Sequence, residues 1–168
     1  MSGPRRDTED AARGLTHVGA DGEARMVDVS AKAETERFAR ARGAIRMRAA
    51  TLDAIRSNAL AKGDVLAVAR VAGILAAKRT AELVPLCHPL PLTDVQLLLS
   101  LDDTLPGVRV EATARTTGRT GVEMEAITAV SLCLVTVYDM AKSIDREMVI
   151  TDVMLVEKTG GRSGHWVR

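Results

Sequence analysis

The chain has 168 residues and a formal net charge of only +1, because 23 lysines and arginines face 22 aspartates and glutamates. This length suits a single domain with a substantial core, and the balanced charge creates no field that would attract a polyanion. Aromatic residues make up 2% of the chain, which disfavours a single-strand RNA-binding sheet because such sheets stack bases on aromatic rings.

The two cysteines, Cys87 and Cys133, lie in apolar contexts and are too few to form a disulfide framework. We find no apolar run that is long and uncharged enough to span a membrane, and no secretory signal segment. These features predict a cytoplasmic protein that binds neither membranes nor nucleic acid.

The first half of the chain is predicted to contain strands followed by two helices. In chain order we expect a disordered extension over 1–14, a short strand over 26–29, a strand over 37–48, a short helix capped by Thr51 or Asp53 and ending near Lys62–Gly63, and a longer helix over 65–83 capped by Asp64.

The second half begins with an extended segment over 86–92, because residues before proline avoid the helical region. It continues with a hairpin of strands over 95–101 and 108–116, a long helix to Lys142, a strand over 149–157 and a flexible tail over 159–168. The order strand, helices, strand, strand, helix, strand predicts an α+β fold over residues 15–158. This is the ferredoxin-like split βαβ arrangement, with helices packed on one face of an antiparallel sheet.

The long helix follows Gly118–Gly121 and is the most informative element. Its valines would also suit a strand, but strands rarely exceed about ten residues. Thr120 and Glu123 have the spacing of a capping box. Leu132 and Val135 lie on a second apolar face, so we expect this helix to be covered on both sides.

Three charged residues of this helix are functional candidates. Asp139 and Lys142 lie at i and i+3, a spacing that is usually a solvated pair. Here they follow a nearly uncharged run, and a lysine that leaves apolar surroundings can have a lowered pKa and transfer protons. Glu125, one turn into the helix, has no structural role to explain it.

Cys87–His88 invites a metal-site hypothesis, but zinc needs three or four ligands and the other histidines, His17 and His165, lie near the chain ends. A lone histidine is more often structural than catalytic, although His88 lies between prolines that would hold its ring rigidly. Gly118–Gly121 could cradle a phosphate at a helix start, but a plain turn is the better interpretation. The residues alone therefore indicate an anionic small-molecule site with acid–base groups and do not name it.

Several short motifs are more specific together than singly: Met26–Lys32, Lys62–Val65, Ala72–Ile74 with Ala76–Lys78, Leu86–Leu90, Thr120–Ala126 and Tyr138–Met140. In this order they resemble the MoaC family of molybdenum-cofactor biosynthesis, the cyclic pyranopterin monophosphate synthases. The resemblance extends over about residues 15–164 and includes every motif position.

The resemblance implies a substrate, a product and an assembly. The substrate would be the cyclised dihydroguanosine triphosphate that a radical-SAM cyclase makes from GTP, and the product would be cyclic pyranopterin monophosphate, formed with loss of pyrophosphate. The assembly would be a homohexamer built as a trimer of dimers. No cofactor is implied, and the sequence leaves open whether magnesium accompanies the triphosphate.

The resemblance also assigns residues to the site. Substrate-binding segments are matched by Leu86, Cys87, His88, Met124 and Glu125, with Glu123 beside them; the active-site acid is matched by Asp139; and basic residues of the pocket are matched by Lys142, Lys62, Arg37 and Lys158. We expect Asp139 and Lys142 to transfer protons and the other cations to stabilise the departing pyrophosphate.

Two functional hypotheses remain at this point, an enzyme and a non-catalytic module. Ferredoxin-like domains also serve as non-catalytic ligand-binding or regulatory modules, since fold does not imply function.

Within the enzyme hypothesis, Glu125 and Asp139 lie fourteen positions apart, roughly 20 Å along a straight helix. We therefore expect a composite site, with Glu125 from one subunit and Asp139 and Lys142 from its neighbour.

Overall fold

The computed structural model describes residue 23, residues 26–162 and residues 164–168, so the extension predicted over 1–14 lies outside the described residues. Within the residues described, five strands and four helices follow in chain order. They are β1 (Thr35–Arg46), α1 (Ala49–Arg56), α2 (Val65–Lys78), α3 (Thr80–Leu83), β2 (Asp94–Asp102), β3 (Gly107–Gly118), α4 (Glu123–Ala141), β4 (Val149–Thr159) and β5 (Trp166–Val167).

The strands form one sheet in the order β2-β3-β1-β4-β5, and every neighbouring pair is antiparallel. The helical connections place β1 and β4 beside each other in the middle of the sheet, although they are far apart in sequence. The hairpin of β2 and β3 is present as predicted. The α+β split βαβ prediction is therefore confirmed.

One face of the sheet carries the core. In β3, buried Val108, Val110, Ala112 and Ala114 alternate with more exposed residues, as expected for a strand with one covered face. The opposing layer is α4, which packs against β1, β3 and β4, with α2 beside it. This layer fixes the position of the two ends of α4, where the candidate site residues lie.

Helix α4 corrects one expectation from the sequence. By length and composition alone, Glu123–Ala141 could cross a membrane, so the statement that no such run exists is wrong. In the structure 56% of the 18-residue apolar stretch of this helix is buried, because the sheet and α2 cover it. An apolar helix buried in this way is the ordinary core helix of a globular domain.

Gly73 lets α2 and α4 approach closely. A Cβ added at Gly73 would lie 2.5 Å from the Leu97 side chain and 2.8 Å from the carbonyl oxygen of Ala129. The second neighbour is helix backbone, which cannot move aside without separating the two helices. The absence of a side chain at Gly73 is thus required by the packing of the two helices.

We predict that Gly73→Ala lowers the free energy of unfolding by about 1–3 kcal/mol, since overpacking outweighs the better helix propensity of alanine. Urea unfolding at fixed protein concentration measures this. Val71→Ala, on the exposed side of the same helix where Val71 is 57% exposed, should change stability by no more than about 0.5 kcal/mol. Equal effects of the two changes would contradict the packing argument.

Several predicted helix boundaries differ from the structure. The Asp64 cap is confirmed by a hydrogen bond from the Ala67 N–H. Helix α2, however, ends at Lys78, where the Thr80 hydroxyl donates to the Ala77 carbonyl oxygen, and α3 is a separate turn. Helix α1 begins before Thr51 and ends at Arg56, since Asn58 has a left-handed backbone with φ of 52°.

Two further differences concern strands. Residues 26–29 do not form the predicted strand. The alternation of apolar and polar residues there predicts an extended backbone, but a strand also needs a neighbouring strand to pair with. At the other end, β4 continues to Thr159, and the expected tail contains β5, whose Trp166 pairs with Lys158. The C-terminal residues are thus tied to the sheet edge next to the start of α4.

Candidate active site

A cleft of about 430 Å³ opens at the N-terminal end of α4. All six residues assigned to the substrate-binding segments line this cleft: Leu86, Cys87, His88, Glu123, Met124 and Glu125. They come from two stretches of chain, the extended segment after α3 and the first turn of α4. The structure therefore brings these six candidates together.

His88 holds a third stretch of chain at the cleft. Its Nε2 lies 2.8 Å from the Val27 carbonyl oxygen, so that nitrogen carries the proton and donates it. Val27 and Val29 give this side of the cleft an apolar lining, and the charged Lys32 also lines the cleft. Sequence reasoning does not select Lys32, whose only signal is its place in the Met26–Lys32 motif.

Glu123 does not act as the predicted capping-box partner of Thr120. Helix α4 begins at Glu123 itself, its N-cap is Val122, and no side chain caps it. The Glu123 carboxylate instead accepts a hydrogen bond of 2.8 Å from Lys158 Nζ, with both side chains partly buried. This bond joins β4 to the start of α4 and places Lys158 beside Glu123, although Lys158 is not among the residues that line the cleft.

In the loop before α4, Gly121 leaves room for the Glu123 carboxylate in the orientation it has here. A Cβ at Gly121 would lie only 1.9 Å from Glu123 Oε2. On the other side of the loop, Arg37 Nε donates to the Gly118 carbonyl oxygen over 3.1 Å. Arg37 therefore supports the loop, and it is not among the residues that line the cleft.

Glu125 is the buried acid of the cleft, with only 4% of its surface exposed. Burial, with a smaller contribution from the negative charge of Glu123, raises the pKa of Glu125 to about 7. Burial together with Glu125 also raises the pKa of the Cys87 thiol. Near neutral pH, Glu125 can therefore either donate or accept a proton.

We predict that Glu125→Gln stabilises the protein increasingly as pH rises from about 4.5 through about 7. Below the unfolded pKa of 4.5 the wild-type carboxyl is neutral in both the folded and the unfolded state. As the pH rises above 4.5 the unfolded state ionises first, so the wild-type protein loses stability until the pH passes the folded pKa of about 7. The gain should approach at most about 3 kcal/mol. Urea unfolding of both proteins at fixed concentration between pH 5 and 8 measures it, and parallel curves would contradict it.

The second group of candidates lies at the opposite end of α4. Asp139 is bridged by Lys62 at 2.8 Å and by Lys142 at 2.7 Å, and all three side chains are about half exposed. Hydrogen bonds from Lys142 and Lys62 lower the pKa of Asp139 to about 2. Asp139 in turn raises the pKa of Lys142, so the expected lowering of that pKa is wrong for this chain.

The two groups do not meet within one chain. Glu125 is in the first turn of α4 and Asp139 is in its last turn, about 20 Å away at 1.5 Å per residue. The structure thus separates a cleft with a buried acid from an exposed cluster of one carboxylate and two ammonium groups. Among residues 26–162 and 164–168, no group of three or more His, Cys, Asp and Glu side chains is arranged to hold a metal ion.

Comparisons with known proteins agree on one family. Residues 26–161 match the MoaC family. A protein of Heliobacterium modesticaldum is 57% identical over 154 residues, covering 92% of this chain and 97% of that protein. A protein of Desulfitobacterium hafniense is 57% identical over 155 residues (92% and 94%), and one of Dinoroseobacter shibae is 59% identical over 153 residues (91% and 97%). All three relatives are named cyclic pyranopterin monophosphate synthase.

Proposed function

Because the chain belongs to the MoaC family, we propose that it is a cyclic pyranopterin monophosphate synthase of molybdenum-cofactor biosynthesis, a phosphorus–oxygen lyase. It converts cyclised dihydroguanosine triphosphate to cyclic pyranopterin monophosphate and releases pyrophosphate. A radical-SAM GTP cyclase would supply the substrate. The observation that carries this proposal is the convergence of six of the nine predicted substrate-binding residues on one cleft, which Lys62, Arg37 and Lys158 do not line.

The cleft suits the base and sugar of such a substrate. Val27, Val29 and Met124 supply apolar walls, and Glu125 supplies one buried carboxyl that can hydrogen-bond to ring nitrogens. Rebuilding a purine-derived ring as a pterin requires protons to be moved at nearly neutral pH. A carboxyl with a pKa of about 7 is well matched to that task.

The lysine cluster suits the triphosphate. Lys62 and Lys142 present two ammonium groups on either side of Asp139, and all three are open to solvent. Bound phosphates would take over the hydrogen bonds that Asp139 now accepts. The ammonium groups would then stabilise the charge that develops on departing pyrophosphate, and Lys142, whose pKa is raised, would act as a proton donor beside the Asp139 carboxylate.

One substrate reaches both groups if the site is shared between subunits. We place Glu125 of one copy opposite Asp139 and Lys142 of a second copy, within a homohexamer built as a trimer of dimers. The separation of the groups along α4 supports this assembly, as does Val135, which is 49% exposed on the second apolar face of α4. The proposal requires no cofactor, leaves magnesium on the triphosphate open, and places the protein in the cytoplasm.

Incubation of purified protein with cyclised dihydroguanosine triphosphate tests the proposal. A synthase releases pyrophosphate and forms the cyclic monophosphate, whereas a ligand-binding or regulatory module binds the nucleotide and returns it unchanged. GTP that has not been cyclised is the control and should yield no pyrophosphate. Binding measured by calorimetry without any pyrophosphate release would overturn the enzymatic function.

A further inference from the structure

Asp145, in the turn between α4 and β4, is a buried charge outside the site described above, with 1% of its surface exposed. Its Oδ2 accepts the Arg48 backbone N–H at 2.9 Å and the Thr51 hydroxyl at 3.0 Å. Its Oδ1 accepts the Glu147 backbone N–H at 3.1 Å and lies 3.3 Å from Arg48 Nε. A buried carboxylate with both oxygens satisfied joins the segments it contacts strongly, since its loss would leave the buried Thr51 hydroxyl without this acceptor.

These contacts connect the two pieces of chain that carry the lysine cluster. Arg48 and Thr51 form the start of α1, and the loop after α1 carries Lys62. The Asp145 backbone N–H bonds to the Ala141 carbonyl oxygen, so Asp145 closes the same turn that begins at Lys142. The Arg48 guanidinium adds a hydrogen bond to the Ile144 carbonyl oxygen.

A second connection between these pieces is the Lys62 to Asp139 pair, which is exposed. Anionic groups that bind Lys62 and Lys142 compete with Asp139 for both lysines, so this connection weakens when the site is occupied. The Asp145 connection is buried away from that competition. Of the two connections, only the one through Asp145 keeps its hydrogen bonds while Lys62 and Lys142 hold a ligand.

We propose that Asp145 is a positioning residue that holds Lys62 and Lys142 at the correct separation for the polyphosphate of the substrate. This inference rests on the proposed function. It predicts that loss of the Asp145 carboxylate harms phosphate binding and turnover more than it harms folding. Small displacements of binding groups are sufficient for large losses of rate.

The test compares Asp145→Asn with Asp102→Asn. Asp102 is a matched control, because it also accepts two backbone N–H groups, a threonine hydroxyl and an arginine, but in the hairpin turn between β2 and β3. In each variant an amide N–H₂ replaces one acceptor oxygen. Melting temperature, turnover and binding of inorganic pyrophosphate by calorimetry are measured for wild type and both variants.

We expect Asp145→Asn to reduce turnover by about tenfold to a hundredfold and to weaken pyrophosphate binding, at temperatures where both variants are folded. Asp102→Asn should change both by less than about twofold, since surface turns away from the site contribute little to catalysis. If the wild type is active and the two variants have equal effects on turnover and pyrophosphate binding, the inference is overturned.

If Asp145→Asn is too unstable to assay, Thr51→Ala provides a second test, because it removes one contact to the Asp145 carboxylate. It should give the same selective loss of turnover and pyrophosphate binding. A Thr51→Ala variant without that selective loss would equally overturn the inference. An inactive wild type would instead overturn the proposed function and this inference with it.

Discussion

Replacing Lys142 by alanine should reduce turnover by about 100- to 10,000-fold, the range expected when a positioned proton-transfer group is removed. The side chain is about half exposed and pairs with Asp139, so the fold should be retained. Because that carboxylate raises its pKa, Lys142 is protonated at neutral pH, so both its positive charge and a transferable proton are present beside the leaving pyrophosphate. Single-turnover release of pyrophosphate measures the loss.

Arg146→Ala provides the matched control for Lys142→Ala. It removes a positive charge from the same turn, where Arg146 is exposed, and should leave turnover within about twofold of wild type. Circular dichroism and melting temperature confirm that both variants fold. Near-normal product formation by Lys142→Ala would remove this residue from the mechanism.

The second large effect is a recovery of activity. Glu125→Gln and Asp139→Asn should each be nearly inactive, because each removes a carboxylate from every site. When the two variants are unfolded, mixed and refolded together, some dimers would carry one site with both wild-type residues, since the two residues of a shared site come from different chains. We expect such mixtures to regain up to about a quarter of wild-type activity, the statistical limit for random pairing in a symmetric dimer.

The control for this mixture is a pair of variants at one end of α4, Asp139→Asn with Lys142→Ala. Those two residues act from the same chain, so no combination of the two variants restores a site, and this mixture should stay inactive. Subunit exchange is verified by mass spectrometry with one isotopically labelled partner. If the first mixture also stays inactive although exchange is complete, Glu125 and Asp139 act within one chain, and the shared site is wrong.

Local signals in the sequence are sufficient for much of the fold. The Asp64 cap, the hairpin of β2 and β3, and the long helix α4 each depend on residues close together in the chain, and all three are present. The boundaries that differ depend on distant partners. Thr51, which has the right side chain for a cap, instead donates to Asp145 from 94 positions away.

The candidate site shows the same division. Leu86–His88 and Met124–Glu125 could be assigned from the sequence through the family resemblance, because they lie in contiguous motifs. The pairing of Glu123 with Lys158 depends on β4 running beside β1 and past the start of α4, which no local pattern contains. The burial that raises the pKa of Glu125 is likewise a property of the packed cleft.

The most direct measurement is a phosphorus NMR time course of the purified protein with cyclised dihydroguanosine triphosphate. The synthase proposal predicts that the triphosphate signals disappear while one cyclic phosphodiester signal and one equivalent of pyrophosphate grow at equal rates. Unchanged triphosphate signals, or release of pyrophosphate together with an ordinary acyclic monophosphate, would contradict it.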